Sequence, residues 1–283
     1  MSDILLISPD GMLGRAFVEL LTQHKRAFEA HSYPQLDITQ PEHVERAVHS
    51  GIRYVINCAA YTDVDGAETR EAAALAVNAT GVQLLARRCR AVGALLVHYS
   101  TDYVFDGEAR APYRTDEPRK PQTAYGRTKA RGEELIIASG CEHLILRTSW
   151  LYAAWGKNFV DTIARLGREK PSLRVVDDQR GRPTSARYLA ERSWALVDKR
   201  ARGIFHVTDG GECTWFEFAR AIVSGSGGSA QVEACTSAEL ARPAKRPGYS
   251  VLDLSSTEAL LGPSRPWRDN LAQVLAERAA QAR

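Results

Sequence analysis

Four short β-rich runs, at residues 4–7, 54–57, 95–99 and 144–147, alternate with helix-patterned stretches at 16–24, 41–49, 71–92 and 124–139, and nothing else restricts the fold as much. The runs are almost continuously apolar, the pattern of strands covered on both faces. The helical stretches repeat apolar residues at three- and four-residue spacing, and Thr39-Gln40-Pro41-Glu42 offers a cap with proline at the first turn. Strand, helix, strand, helix implies parallel strands joined by crossovers, almost always right-handed. The reading is α/β, a Rossmann-like doubly wound parallel sheet, with ligands expected at the carboxyl ends of its strands.

Past Arg147 the alternation fades, and Pro and Gly gather at 179–183 and 241–249. A helix at 185–199 and a strand at 203–207 are read as returning to the sheet, short helices at 215–223 and 255–261 as a smaller unit, and 224–229 as a flexible turn. The chain of 283 residues therefore divides into a dinucleotide-binding domain at 1–149, with a returning segment at about 185–207, and a small substrate-binding domain at 150–184 and 208–283.

Composition removes several classes of function. Lys plus Arg number 37 against 34 acidic residues, a net +3 spread evenly, which argues against a nucleic-acid partner. The longest apolar runs are four to six residues, far short of the ~18–20 that cross a bilayer, so no membrane partner is expected. Met1-Ser2-Asp3 leads straight into the first strand without a targeting pattern. Five scattered cysteines without a CxxC pair suggest neither disulfides nor a metal site, and place the protein in a reducing cytoplasm.

Three segments carry candidate chemistry. Ser8-Pro9-Asp10-Gly11-Met12-Leu13-Gly14 follows the first strand and reads either as a plain turn or as a loop that aims backbone N–H groups at a pyrophosphate. Ser8 stands where the fingerprint has its first glycine; Gly11 remains for close approach and Gly14 for helix packing. Tyr125 and Lys129 lie four apart at the start of a helix, on one face. They are an ordinary solvated pair, or a phenol whose proton transfer is eased by a neighbouring cation. In the segment from Val97 to Gly107 an apolar strand ends in hydroxyls and a carboxylate. There Ser100 or Thr101 can bond a carbonyl oxygen and Asp102 a sugar hydroxyl, unless the segment is a simple polar turn.

Taken together with Asn57-Cys58-Ala59-Ala60-Tyr61-Thr62-Asp63-Val64-Asp65, Ser100-Thr101-Asp102-Tyr103-Val104-Phe105, Tyr125-Gly126-Arg127-Thr128-Lys129, Arg147-Thr148-Ser149-Trp150 and Arg246-Pro247, these segments are similar nearly end to end to the dTDP-4-dehydrorhamnose reductase family, within the extended short-chain dehydrogenase/reductases. The resemblance implies NADPH or NADH as cofactor, with Gly11, Met12 and Leu13 under the pyrophosphate and Asp37 and Ile38 near the adenine. Ala59, Ala60, Tyr61 and Thr62 would line the nicotinamide side. Thr101, Tyr125 and Lys129 would be catalytic: Tyr125 protonates the substrate oxygen, Thr101 holds it, and Lys129 binds the nicotinamide ribose while tuning Tyr125. Thr62, Val64, Thr101, Asp102, Tyr103, Trp150 and Asn158 would surround the deoxysugar, and Arg246 would grip the diphosphate. The partner is then a nucleotide-sugar substrate.

Three departures from the family pattern qualify the carry-over. Ser8 carries a Cβ that resists the positive φ glycine takes freely, so a reshaped turn or a looser cofactor grip is expected. Arg15 and Ala16 stand where some relatives place the acid of a magnesium-linked interface, so no metal is expected, and the assembly is a monomer or a homodimer that is not metal-bridged. His31 and Ser32 follow the second strand in place of a ribose-gripping acid, which tolerates NADPH, while Glu29 keeps NADH open. The same fold serves a non-catalytic NADP-binding subunit of methionine adenosyltransferase and sugar-nucleotide epimerases or dehydratases. Retention of Thr101, Tyr125 and Lys129 argues against the first, and Tyr103 after Asp102, in place of a second acid, against the others.

Overall fold

In the computed structural model, which describes residues 2–281, the expected alternation folds into a wholly parallel six-stranded sheet. The chain runs β1 (Ile4–Ile7), α1 (Met12–Gln23), β2 (Glu29–His31), α2 (Pro41–Ala47), β3 (Tyr54–Asn57), α3 (Val64–Ala67), α4 (Glu71–Leu75), a π turn (Ala76–Gly81), α5 (Val82–Val92) and β4 (Leu95–Thr101). A 3₁₀ turn (Asp102–Val104), α6 (Ala124–Ser139) and β5 (His143–Thr148) complete the first half. Then follow β6 (Leu151–Tyr152), α7 (Phe159–Glu169), β7 (Ser172–Val176), β8 (Arg180–Gly181), β9 (Thr184–Ser185), α8 (Ala186–Asp198) and β10 (Gly203–His206). The last elements are β11 (Cys213–Thr214), α9 (Trp215–Gly225), β12 (Gln231–Cys235), α10 (Ser255–Leu261) and α11 (Trp267–Gln281).

The strand order β10-β5-β4-β3-β1-β2 reverses between β1 and β3, which opens the crevice above the carboxyl ends of those two strands. β10 pairs in register with β5, Gly203 opposite Leu144, so the 203–207 run does return to the sheet. The apolar strand residues divide between the two faces: Ile4, Leu6, Ile56 and Val97 pack under α1 and α8, and Leu5, Ile7, Val55 and Leu96 under α2 and α5. The first of these cores continues without a break into α7, α9 and α11.

Two stretches differ from the sequence reading. The single helix expected over 71–92 is interrupted by the π turn Ala76–Gly81. There Asn78 turns inward, donating to the Tyr61 carbonyl and the Thr128 hydroxyl while accepting the Tyr61 N–H. Gly132 of α6 permits this close approach, since a Cβ there would lie 2.2 Å from the Asn78 carbonyl oxygen. The second difference is order past Arg147 beyond what periodicity indicates: α7, the parallel pair β7–β12 and α11. Short strands with mixed polarity leave no clear period, so their pairing is fixed only by partners far along the chain.

Candidate active site

The first loop takes the fingerprint's shape despite the serine. Ser8 adopts φ +59°, the left-handed region that glycine normally supplies. Its N–H donates to the His31 carbonyl at 2.9 Å and its own carbonyl accepts the Gly11 N–H at 3.3 Å, so both sides of the residue are pinned. The expected reshaping of the turn does not occur. Gly14 makes the turn possible, because a Cβ there would sit 1.9 Å from the Ser8 oxygen. Gly11 is different: a Cβ would meet only that same oxygen, at 3.5 Å, so the protein leaves open space where a ligand backbone approach needs it. The first amides of α1, at Met12 and Leu13, have no helical acceptors and no side chain caps them. An exposed, uncapped N-terminus of a three-turn helix beside an open glycine fits a dinucleotide pyrophosphate.

The neighbouring walls follow from local hydrogen bonding. Asp37 Oδ1 accepts the N–H and hydroxyl of Thr39, closing the turn ahead of α2, while Ile38 is buried against Gly81. Glu29 begins β2 instead of ending it and faces His49 at 3.3 Å, and Ser32 past the strand end donates to Asp10. At the end of β3, Asn57 Oδ1 accepts the Ala59 N–H, and Asn78 clamps both backbone groups of Tyr61, so Ala59, Ala60 and Tyr61 form a fixed wall. Thr62 is exposed and Val64 half-buried at the start of α3, which Asp63 caps through the Gly66 N–H.

Thr101 ends β4 and caps the 3₁₀ turn by accepting the Tyr103 N–H at 3.2 Å; its hydroxyl donates to Asp102 Oδ1 at 2.9 Å. Asp102 is buried, and loss of water pushes its carboxyl up to about 6, a shift only softened by the Ser250 and Thr101 hydroxyls. Tyr125 lies in the first turn of α6, which Thr123 caps by accepting the Gly126 N–H, and its ring packs edge-on against Tyr103 with centroids 5.7 Å apart. Burial and the Asp102 charge push the Tyr125 phenol upward, while the Thr101 hydroxyl works the other way. Lys129 does not bond the phenol: its Nζ donates to the Tyr99 carbonyl at 2.5 Å and lies 3.3 Å from His98 Nε2. The expected Tyr–Lys pairing is thus not made here, because the buried amino group takes the nearest acceptor on β4.

On the opposite wall, Trp150 sits at φ +47° and stacks on Trp215, ring centroids 3.7 Å apart and 13° from parallel, with Gly181 against its edge. Arg246 is bidentate to Asp65, 2.8 Å on both oxygens, and also donates to the Ala244 carbonyl. Its fork is therefore engaged by α3 and not free at a phosphate site. A cleft of about 240 Å³ opens between Tyr103, Thr123, Arg246 and Pro247. Asn158 caps α7 by accepting the Asp161 N–H, and its amide nitrogen donates to the carbonyls of Ala153, Trp155 and Gly156, which fixes the turn ahead of that helix. The cap-x-x-acid spacing from Asn158 to Asp161 was the signal for a helix start.

Sequence reasoning passed over Asn78, Glu133 and Trp215. A lone polar residue on the apolar face of the 71–92 helix marked Asn78; Glu133 continues the face of Tyr125 and Lys129 by one further turn. Glu133 is fully buried and bidentate with Arg147, at 2.9 and 2.7 Å, and accepts Ser100 as well. It ties α6 to β4 and β5 beneath the site.

A parallel sheet with a glycine turn at its switch point, and with hydroxyl, phenol and buried amine converging at the ends of β4 and α6, defines a Rossmann-type protein of the short-chain dehydrogenase/reductase class. The chain belongs to the RmlD substrate binding domain family, whose model matches residues 1–280. It is 43% identical over 282 residues to a dTDP-4-dehydrorhamnose reductase of Mycobacterium tuberculosis (strain H37Rv), covering 96% of this chain and 92% of that one. Among solved structures it is similar to a dTDP-4-dehydrorhamnose reductase of Clostridium acetobutylicum, with a TM-score of 0.94, 39% identity and coverage of 97% and 98%. The enzyme of that name from Bacillus anthracis, solved in complex with NADP, gives a TM-score of 0.94 at 34% identity, covering 98% of this chain and 100% of that one.

Proposed function

We propose that this protein is the NADPH-dependent reductase that converts dTDP-4-dehydro-L-rhamnose to dTDP-L-rhamnose, with Tyr125 as proton donor. NADPH, when bound, supplies hydride to C4 of the keto sugar. Gly11 and the Met12 and Leu13 amides hold the pyrophosphate, Asp37 and Ile38 border the adenine, and Ala59 to Thr62 support the nicotinamide side. Thr101, turning its hydroxyl proton from Asp102 to the sugar oxygen, orients that oxygen beside the Tyr125 hydroxyl, which delivers its proton as negative charge develops there. Raising the phenol by burial keeps it protonated before the reaction, the state a proton donor needs. Asp102 accepts from a sugar hydroxyl, and Trp150, held by Trp215, offers its free face to the deoxysugar. Tyr103, Val64 and Thr62 close the pocket around the methyl group. Arg246 reaches the diphosphate by giving up one or both bonds to Asp65. The smaller unit at 150–184 and 208–283 adds Trp150 and Arg246 to the substrate side, and the rest carries the cofactor and the reacting groups.

The observation that carries this reading is the meeting of Thr101, Asp102 and Tyr125 at the end of β4, on the same carboxyl edge of the sheet as the open Gly11 turn. Supplying dTDP-4-keto-L-rhamnose with NADPH and following the nicotinamide absorbance tests it: absorbance falls and dTDP-L-rhamnose accumulates. A flat trace with NADPH and with NADH favours a non-catalytic subunit.

A further inference from the structure

Behind the site lies a chain of buried polar groups with more donors than it has acceptors. The Ala59 N–H donates to Asn57 Oδ1 at 3.1 Å, which fixes the orientation of that amide. The amide nitrogen of Asn57 therefore faces His98 Nδ1, at 3.2 Å, and this ring nitrogen must accept. A neutral imidazole that accepts at Nδ1 carries its proton on Nε2, and Nε2 lies 3.3 Å from Lys129 Nζ. An ammonium there would set N–H against N–H. Moving the imidazole proton to Nδ1 only transfers the conflict to Asn57, and flipping Asn57 abandons the Ala59 N–H. His98 is fully buried and Lys129 nearly so, so water does not relieve the mismatch.

One change satisfies every group: the amine gives up a proton, accepts from His98 Nε2, and still donates to the Tyr99 carbonyl. We propose that Asn57 and His98 are positioning residues that hold Lys129 as a neutral amine in the cofactor-free enzyme, and that dinucleotide binding draws the amine off His98 and returns its proton from solvent. The inference rests on the reading of Lys129 as the ribose contact. The groups facing Lys129 are few: His98 and the Tyr99 carbonyl on β4, with Tyr125 and Glu133 one turn away on α6. The Glu133 carboxylate is already shared by Arg147, Arg119 and Ser100. Burial brings the Lys129 ammonium down to about 8, against the pull of Glu133, and burial and Lys129 together hold His98 well below its ordinary range.

Titration calorimetry of the full chain with NADPH at pH 8, in phosphate and in Tris, tests the coupling. Binding enthalpies that differ between the buffers by the uptake of up to one proton per site, and no less than about half, are expected. At that pH the phosphates of the ligand are fully ionised. Lys129→Met abolishes the uptake, and His98→Gln, whose carbonyl can accept from an ammonium, loses most of it. Where His98→Gln does not fold, Asn57→Asp serves, because a carboxylate there accepts from Nδ1 and leaves Nε2 free to accept from Lys129. Binding with a buffer-independent enthalpy, or uptake that persists in Lys129→Met or in the His98 or Asn57 variant that folds, overturns the proposal alone. No binding of NADPH to the wild type overturns the cofactor reading and, with it, the proposal.

Discussion

The two walls of the cleft are built on different principles. On the cofactor wall, the working groups are mostly backbone amides in short turns: Ser8 to Gly14 close within seven residues, and Asn57 Oδ1 accepts the Ala59 N–H two residues on. On the substrate wall, several candidate groups are held by something distant in the chain. Arg246 grips Asp65 across 181 positions, Trp150 leans on Trp215, and Tyr125 answers to Thr101 and Asp102. A wall made of backbone tolerates side-chain change so long as the turn survives, whereas a wall made of long-range side-chain pairs is changed by a substitution at either end. The first suits a cofactor shared by many enzymes and the second a particular sugar nucleotide.

Variants can break or sharpen that contrast. Tyr125→Phe, which keeps the ring and loses only the transferable proton, should lower kcat by about 10²–10⁴-fold with little change in NADPH affinity, measured by steady-state kinetics and fluorescence titration. Loss of both would place Tyr125 in the cofactor wall as well. Arg246→Lys keeps the charge and loses the fork, and KM for the nucleotide sugar should rise about tenfold while KM for NADPH stays put. Equal effects on both constants would contradict the division.

Asp102 gives a pH prediction. Its folded-state carboxyl titrates near 6, above the ordinary carboxylate range, so the charged acceptor for a sugar hydroxyl is lost as pH falls through 6. The value of kcat/KM for the sugar should then drop about tenfold per pH unit below 6, and Asp102→Asn should flatten that limb. For stability the sign is opposite. A raised carboxyl contributes most below its unfolded value, and that contribution is lost as pH rises through 6, so Asp102→Asn should lessen the decline in denaturant midpoint across that window. The smallest effect is expected at Ser8. Ser8→Gly relieves the left-handed strain but loosens the unfolded chain, for a net gain of about 0.5 kcal/mol in denaturant unfolding. A large loss of stability would mean that the serine side chain holds the turn.

The legible part of the molecule follows the same contrast. The strand runs and the helices of the first half were readable because their periods are local, and the Tyr125, Thr101 and Asp102 segments because strand ends and first helical turns are where such groups face a crevice. The capping role of Asn158 was not legible, because an amide that can cap a helix and one that can bind a sugar look alike until α7 is seen behind it. The π turn at Asn78 was hidden because its cause is Gly132 on another helix, and the engagement of Arg246 because Asp65 is far away along the chain.

The order of periodic segments by itself determined a doubly wound parallel sheet, since runs covered on both faces and separated by helices have few other ways to bury themselves. It also determined which residues stand at the strand ends. Only tertiary structure decided what those residues do with their hydrogen bonds: that Ser8 accepts a left-handed backbone, that Lys129 turns to His98 and Tyr99, and that Arg246 closes on Asp65. The reason is that a buried polar group takes the nearest competent partner, and nearness in a folded chain is set by packing between elements, which sequence spacing does not record.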